Sequence, residues 1–214
     1  MQSERHSVVL VDDHPVFRAG LRAVLSSDPS LEVVGEATHY DEGIDLVERF
    51  DPNLILLDLS LPGKGGLELL REVRARNGDT EVLVLSTHDP LLFARRCLKE
   101  GARGYLQKQE AADEVVLAAQ TVLRGEVYLS PSLATQLVEG LSSSPNTSPF
   151  ANLSNRELNV MELLGRGQKS KDIAQQLNIS VKTVDAHLAN IKRKLGLPDG
   201  RQLLRRAIAW VEGF

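Results

Sequence analysis

A chain of 214 residues with 42% hydrophobic and 25% charged side chains is long enough for one or two domains and apolar enough to bury real cores, which excludes global disorder. Its single cysteine, Cys97, excludes an intrachain disulfide and a cysteine-rich zinc site, and fits inert packing in a reducing compartment. The net charge of −4 is unevenly spread, with 14 basic against 22 acidic residues over 1–130, Glu139 alone over 131–149, and 11 basic against 6 acidic over 150–214, so an acidic part is joined to a basic part suited to an anionic partner such as nucleic acid.

Five short apolar runs come first: Ser7–Val11, Glu32–Gly35, Leu54–Leu57, Glu81–Leu85 and Gly104–Leu106. Longer stretches with helical spacing separate them. The runs are apolar on both faces, as strands covered by helices on both sides must be. This predicts an α/β domain, a doubly wound five-stranded parallel sheet, over residues 1–128. No apolar run approaches the roughly 18 residues of a membrane span, and Ser7–Val11 runs straight into Asp12-Asp13, unlike a secretory signal. The cytoplasm is the expected location, with no membrane partner.

Ligands of open α/β sheets sit beyond the carboxyl ends of the strands, so the residues after each run carry the chemistry. Asp12 and Asp13 follow the first run, Asp58 the third, Ser86 and Thr87 the fourth, and Gln107-Lys108 the fifth. Three converging carboxylates repel one another unless a cation joins them. A hard divalent ion such as Mg²⁺ fits oxygen donors of this kind, and no His/Cys cluster suggests zinc. A satisfied structural cluster is the alternative. Pro62-Gly63-Lys64-Gly65-Gly66 lacks the spacing of a phosphate-cradling loop and reads as a turn, while His14 and His39 have no paired metal-ligand spacing.

Residues 129–152 read as a linker, centred on Ser142–Pro149, which holds no apolar residue and two prolines. As a flexible coil those eight residues reach about 15 Å.

Residues 153–214 read as a smaller all-α domain of four helices. Ser154-Asn155-Arg156-Glu157 is a capping box, with Leu158, Met161 and Leu164 inward. A short second helix capped by Ser170 buries Ile173, Ala174 and Leu177. A third, capped by Ser180, buries Val184, Leu188, Ile191 and Leu195 and presents Lys182, Asp185, Ala186, Ala189 and Arg193 on its opposite face. A fourth, from about Asp199, uses Leu203, Leu204, Ala207, Ile208 and Val211. Short helix, tight turn, longer helix is the helix-turn-helix unit that reads DNA.

Across residues 5–125 the chain resembles the flavodoxin-like receiver domain of two-component response regulators. The resemblance rests on Val11-Asp12-Asp13-His14-Pro15, on Leu56-Leu57-Asp58-Leu59-Ser60-Leu61-Pro62-Gly63 with Gly66, on Leu85-Ser86-Thr87, and on Gly101–Lys108. It implies that Asp58 takes a phosphoryl group from a histidine kinase. Asp13 would ligate Mg²⁺ directly, Asp12 directly or through water, and Asp58 with the Ser60 backbone carbonyl would complete the protein ligands. Lys108 would neutralise a phosphoryl oxygen, and Ser86 would bond to the phosphoryl group while Tyr105 turns into the space it leaves. Tyr105 is otherwise a half-buried core tyrosine. Gln109 stands where many receivers carry a proline.

Leu153–Ala209 resembles the LuxR-type DNA-binding domain of NarL-type response regulators, through Leu153-Ser154, Arg156-Glu157, Gly167, Lys171–Ala174, Leu177, Ser180–Val184, His187, Ile191 and Lys194-Leu195. Lys171, Lys182, Thr183, Lys192 and Arg193 are assigned to the DNA backbone; each is otherwise a solvated polar residue. Positions often basic in the family are here Asp185, Ala186 and Ala189, so the target cannot be copied from relatives. His187 lies on the flank, as a DNA contact or a packing histidine. Together the two resemblances imply a non-enzymatic transcription factor, switched by phosphorylation and acting as a homodimer on double-stranded DNA. The alternatives are a phosphorylation-independent DNA-binding regulator and an aspartyl-phosphate phosphatase of the haloacid dehalogenase type, which needs an acid where Ser60 stands.

Overall fold

Leucine- and valine-rich runs form the strands, and amphipathic stretches between them form the helices. In order these are β1 (His6–Val11), α1 (Pro15–Leu25), β2 (Leu31–Ala37), α2 (Tyr40–Phe50), β3 (Leu54–Asp58), α3 (Gly66–Arg76), β4 (Glu81–Ser86), α4 (Pro90–Lys99), β5 (Gly104–Gln107), α5 (Ala111–Leu123), β6 (Tyr128–Leu129) and α6 (Pro131–Ser142). The structure, a computed structural model, describes residues 5–62, 64–76, 78–87, 90–142, 150 and 152–211. It divides into two units, Met1–Ser143 and Ser144–Phe214.

The first unit is a parallel sheet in the order β2-β1-β3-β4-β5-β6. The chain steps outward from β1 to β2, then crosses back to β3 on the other side of β1. This reversal puts helices on both faces and leaves a crevice at the carboxyl ends of β1 and β3. Val11 lies beside Leu57 and Leu57 beside Val84, so Asp12 and Asp58 emerge next to each other. Both faces are covered, and every residue of β3 is buried.

Two features differ from the sequence reading. The sheet has six strands rather than five, because Tyr128-Leu129 adds to the open edge of β5, Gly104 facing Tyr128 and Tyr105 facing Leu129. Gly125, at φ 77°, turns the chain out of α5 so that Tyr128 N–H reaches the Arg103 carbonyl at 2.9 Å. A two-residue strand carries no readable periodicity. The stretch from residue 129, read as linker, also begins with structure: Leu129 ends β6, and Pro131 opens α6, whose missing N–H costs nothing in a first turn. Leu133 of α6 is buried, and the helix packs on α4. Of the polar tract Ser142–Pro149, residues 143–149 lie outside the described residues.

The second unit holds α7 (Asn155–Gly165), α8 (Ser170–Gln176), α9 (Val181–Leu195) and α10 (Gly200–Val211). Its core joins Leu158, Val160 and Met161 of α7 to Ile173, Val184, Ile191, Leu203 and Ala207. The capping box at Ser154 is present in both directions, and Ser180 caps α9 by accepting from Thr183 N–H. The second helix differs from expectation. Its cap is Lys169, with no side-chain cap bond, so Ser170 is the first helical residue and its hydroxyl is used elsewhere. On α10, Leu203 and Ala207 are buried, whereas Leu204 and Val211, both expected inward, are 39% exposed.

Candidate phosphoacceptor pocket and DNA-reading face

The chemistry of the first unit is set by where its strands stop. Asp58 ends β3 and is 1% exposed; Asp12 follows β1 at 2%. Lys108, just past β5, lies 2.7 Å from Asp58 Oδ2 and 2.7 Å from Asp12 Oδ2. Its own N–H donates to the Ser86 carbonyl at 3.0 Å, which ties the loop to the end of β4. Ser60 N–H donates to Asp58 Oδ1 at 3.0 Å, orienting that carboxylate. Burial pushes the Asp58 carboxyl above the ordinary carboxylate range; Lys108 opposes the shift and the neighbouring Asp12 charge adds to it.

Tight backbone packing holds this arrangement. Gly66 opens α3 against the Asp58-Leu59 backbone so closely that a Cβ there would collide with the Asp58 carbonyl oxygen. Arg18 of α1 donates to the Asp12 carbonyl at 2.6 Å and, through Nε, to Glu36 at 2.9 Å. Ser86 and Tyr105 are both fully buried on the adjacent strands β4 and β5, where Tyr105 faces Val84 and Ser86 faces Gln107. Tyr105, for which a half-buried core position was the alternative to the switch role, is an interior residue with no exposed surface.

One donor atom from each of Asp12, Asp13, His14 and Asp58 lies within 4.8 Å of the others. Lys108 and Asp12 form an ion pair, and His14 Nδ1 stands 2.7 Å from Asp13 Oδ1. Carboxylate oxygens of Asp12, Asp13 and Asp58 thus converge at the strand ends, a set of hard donors that suits a hard cation.

Two residues here were not found in the sequence. His14, dismissed for want of ligand spacing, reaches 3.3 Å from Asp12 Oδ1 while remaining 62% exposed. Phe17 places its ring 4.7 Å from Lys108 Nζ. The available signal was position: both follow Asp12-Asp13 by one turn or less, where α1 begins over the strand ends.

Comparison with known proteins fits both halves of the chain. A family model described as a response regulator receiver domain matches residues 8–120. A second, described as bacterial regulatory proteins of the luxR family, matches residues 151–207. The chain belongs to the LuxR-family response regulators. It is similar to the response regulator UvrY of Escherichia coli strain K12, at 35% identity over 94% of this chain and 93% of that one. The oxygen regulatory protein NreC of Staphylococcus aureus is 36% identical, over 94% and 96%. RcsB of Salmonella enterica serovar Typhimurium, solved bound to promoter rprA with the phosphomimetic BeF3−, matches at TM-score 0.65 and 25% identity, over 94% of this chain and 98% of that one.

In this regulator the second unit is a LuxR-type helix-turn-helix. On α8 and α9, Lys171, Lys182, Thr183, Asp185, Ala186, Ala189 and Arg193 are exposed, while His187 and Lys192 are half-buried. The Thr183 hydroxyl lies 2.8 Å from Ser180 Oγ, within the helix cap. Burial, with Arg156 nearby, holds His187 below the ordinary imidazole value.

Two α7 residues hold the reading element. Arg156 donates to the Leu177 carbonyl at 2.5 Å, pinning the end of α8. Glu157 accepts from Lys194 at 2.6 Å, pinning the far end of α9. The chain has no helix among its described residues that is long and apolar enough to cross a membrane.

Proposed function

We propose that this regulator is switched by phosphoryl transfer from a histidine kinase to Asp58, and that residues 1–128 act as phosphoacceptor and residues 153–214 as DNA reader. The observation that carries the reading is the Asp58-Lys108-Asp12 arrangement: an oriented, buried carboxylate with one ammonium 2.7 Å away. A carboxylate that attacks phosphorus needs its target positioned and the developing charge neutralised. An Asp58 oxygen forms the new P–O bond as the P–N bond to the kinase histidine breaks, and the imidazole leaves with the electron pair and takes up a proton.

Asp12, Asp13, Asp58 and the Ser60 backbone carbonyl would hold Mg²⁺, which when bound supplies positive charge to the phosphoryl oxygens. Lys108, 2.7 Å from Asp58 Oδ2, would contribute a further positive charge. The phosphoryl group adds about −1.5 to −2 charge at a site where Ser86 can donate to it. Ser86 and Tyr105, both buried on the adjacent strands β4 and β5, are the pair whose rearrangement would carry the change to the surface of β5 and its flanking helices.

The output is sequence-specific DNA binding in the cytoplasm. Lys171, Lys182, Thr183, Lys192, Arg193 and His187 would contact the backbone or groove edge, with Asp185, Ala186 and Ala189 facing the bases. One such unit covers a half-site, so the regulator acts as a homodimer on a twofold-related sequence. RcsB, the solved relative bound to promoter rprA with a phosphomimetic, supports coupling of the two halves.

The test is incubation with Mg²⁺ and acetyl phosphate. A stoichiometric, acid-stable, alkali-labile adduct that Asp58→Ala abolishes, together with tighter promoter binding, is expected. Multiple turnover would instead indicate a phosphatase, and DNA binding indifferent to Asp58 a phosphorylation-independent regulator.

A further inference from the structure

Ser170 does not cap its helix, and its hydroxyl donates across the turn to Asp185 Oδ1 at 3.2 Å. Asp185 is exposed on the face of α9 opposite the buried Val184 and Ile191, between Lys182 and Ala189. Among the described residues, no lysine or arginine pairs with it. A carboxylate placed without a cation on a face otherwise supplied with Lys171, Lys182 and Arg193 weakens binding to phosphates, unless it meets a donor when DNA is bound. The carboxylate accepts only, and the Ser170 bond orients it while leaving Oδ2 available.

We infer that Asp185, held by Ser170, is a specificity-determining residue that accepts a hydrogen bond from the N4 amino group of cytosine in the major groove. The inference rests on the DNA-reading role proposed above. Two edges offer an amino donor there, cytosine N4 and adenine N6. Adenine sets the N7 acceptor beside its amino group, which repels a carboxylate; cytosine has only a C–H at that place. Ala186 and Ala189, one and four residues on, leave room for α9 to approach the bases closely. Ser170 is the positioning residue: it belongs to α8 and fixes the orientation of a side chain that would otherwise turn toward water.

The experiment is selection from a DNA pool randomised over two half-sites, with phosphodonor present, for the full chain and for the Asp185→Asn, Asp185→Ala, Ser170→Ala and Ser170→Thr variants. The wild type should enrich cytosine at one symmetry-related position per half-site, by roughly 5- to 100-fold over other bases. Asp185→Asn should move that position to adenine, whose N6 and N7 suit a carboxamide, and Asp185→Ala should flatten it. Ser170→Ala should weaken the cytosine preference severalfold without changing the unit's unfolding midpoint or its affinity for random DNA, and Ser170→Thr should restore it.

Asp185 variants that select the same sequence as wild type, with affinity raised equally for every DNA, would overturn the inference and leave Asp185 as a repulsive spacer only. A wild type that enriches no sequence would overturn the DNA-reading role itself, and this assignment with it.

Discussion

Replacing Glu157 isolates the interaction that ties the reading helix to its scaffold. The residue is 4% exposed and does two jobs: Oε2 accepts from Ser154 N–H at 2.6 Å in the capping box and from Lys194 Nζ at 2.6 Å. Losing the capping bond costs about 1 kcal/mol. A hydrogen bond to a charged group contributes about 1.5–3 kcal/mol, and the lower end applies because Lys194 is one-third exposed and can rehydrate.

Glu157→Ala should therefore destabilise the second unit by about 2–3 kcal/mol. The smaller Glu157→Gln should cost about 1–2 kcal/mol, because the amide keeps an acceptor for Ser154. Trp210, the single tryptophan of the chain, sits on α10 with its ring 5.1 Å from that of Phe150, so its fluorescence reports the second unit. With a urea slope of about 1 kcal/mol/M for a unit this small, the Glu157→Ala midpoint should fall by about 2–3 M.

The effect has a pH signature. Burial alone would raise the Glu157 carboxyl, but the bonds from Lys194 and Ser154 outweigh it and hold the group below the ordinary carboxylate range. A carboxyl lowered in the folded state contributes stability above its unfolded value, about 4.3, and loses that contribution as pH falls through the lower folded value. The gap between wild type and Glu157→Gln should thus be constant from pH 6 to 8 and close in acid. A difference below about 0.5 kcal/mol, or one that persists unchanged in acid, would refute the reasoning.

Gly66→Ala should cost the first unit about 3 kcal/mol in thermal or urea unfolding and sharply lower the Asp58 adduct yield, since the added methyl collides with the Asp58 carbonyl oxygen and comes 2.8 Å from Leu59 Cα. Cys97, whose thiol burial pushes up to about 12, should react with a maleimide at pH 8 about a thousandfold more slowly in the folded protein than in concentrated guanidinium. Lys182→Ala should weaken binding to every DNA sequence alike and reduce the slope of log affinity against log salt by about 1, as loss of one phosphate contact requires. A sequence-dependent loss, with the slope unchanged, would instead place Lys182 on a base.

What could be read in advance was whatever depends on local pattern or on chain topology. Alternating runs and helices determine the parallel sheet, and the polar residues that follow each run single out Asp12, Asp13, Asp58, Ser86 and Lys108. The capping box at Ser154 and the apolar stripe through Val184 and Ile191 placed α7 and α9 in the same way. These features repeat over several residues or sit at positions the fold itself marks.

Tertiary structure decided what depends on single contacts between distant segments. Only packing tells that two residues after Gly125 extend the sheet, because a strand that short is stabilised by the edge it joins. Only packing brings His14 to the carboxylates and Phe17 to Lys108, turns Leu204 and Val211 of α10 outward, and directs the Ser170 hydroxyl to Asp185 instead of its own helix end. A side chain's partner is set by which rotamer the surrounding structure permits, and one-dimensional spacing carries no record of that choice.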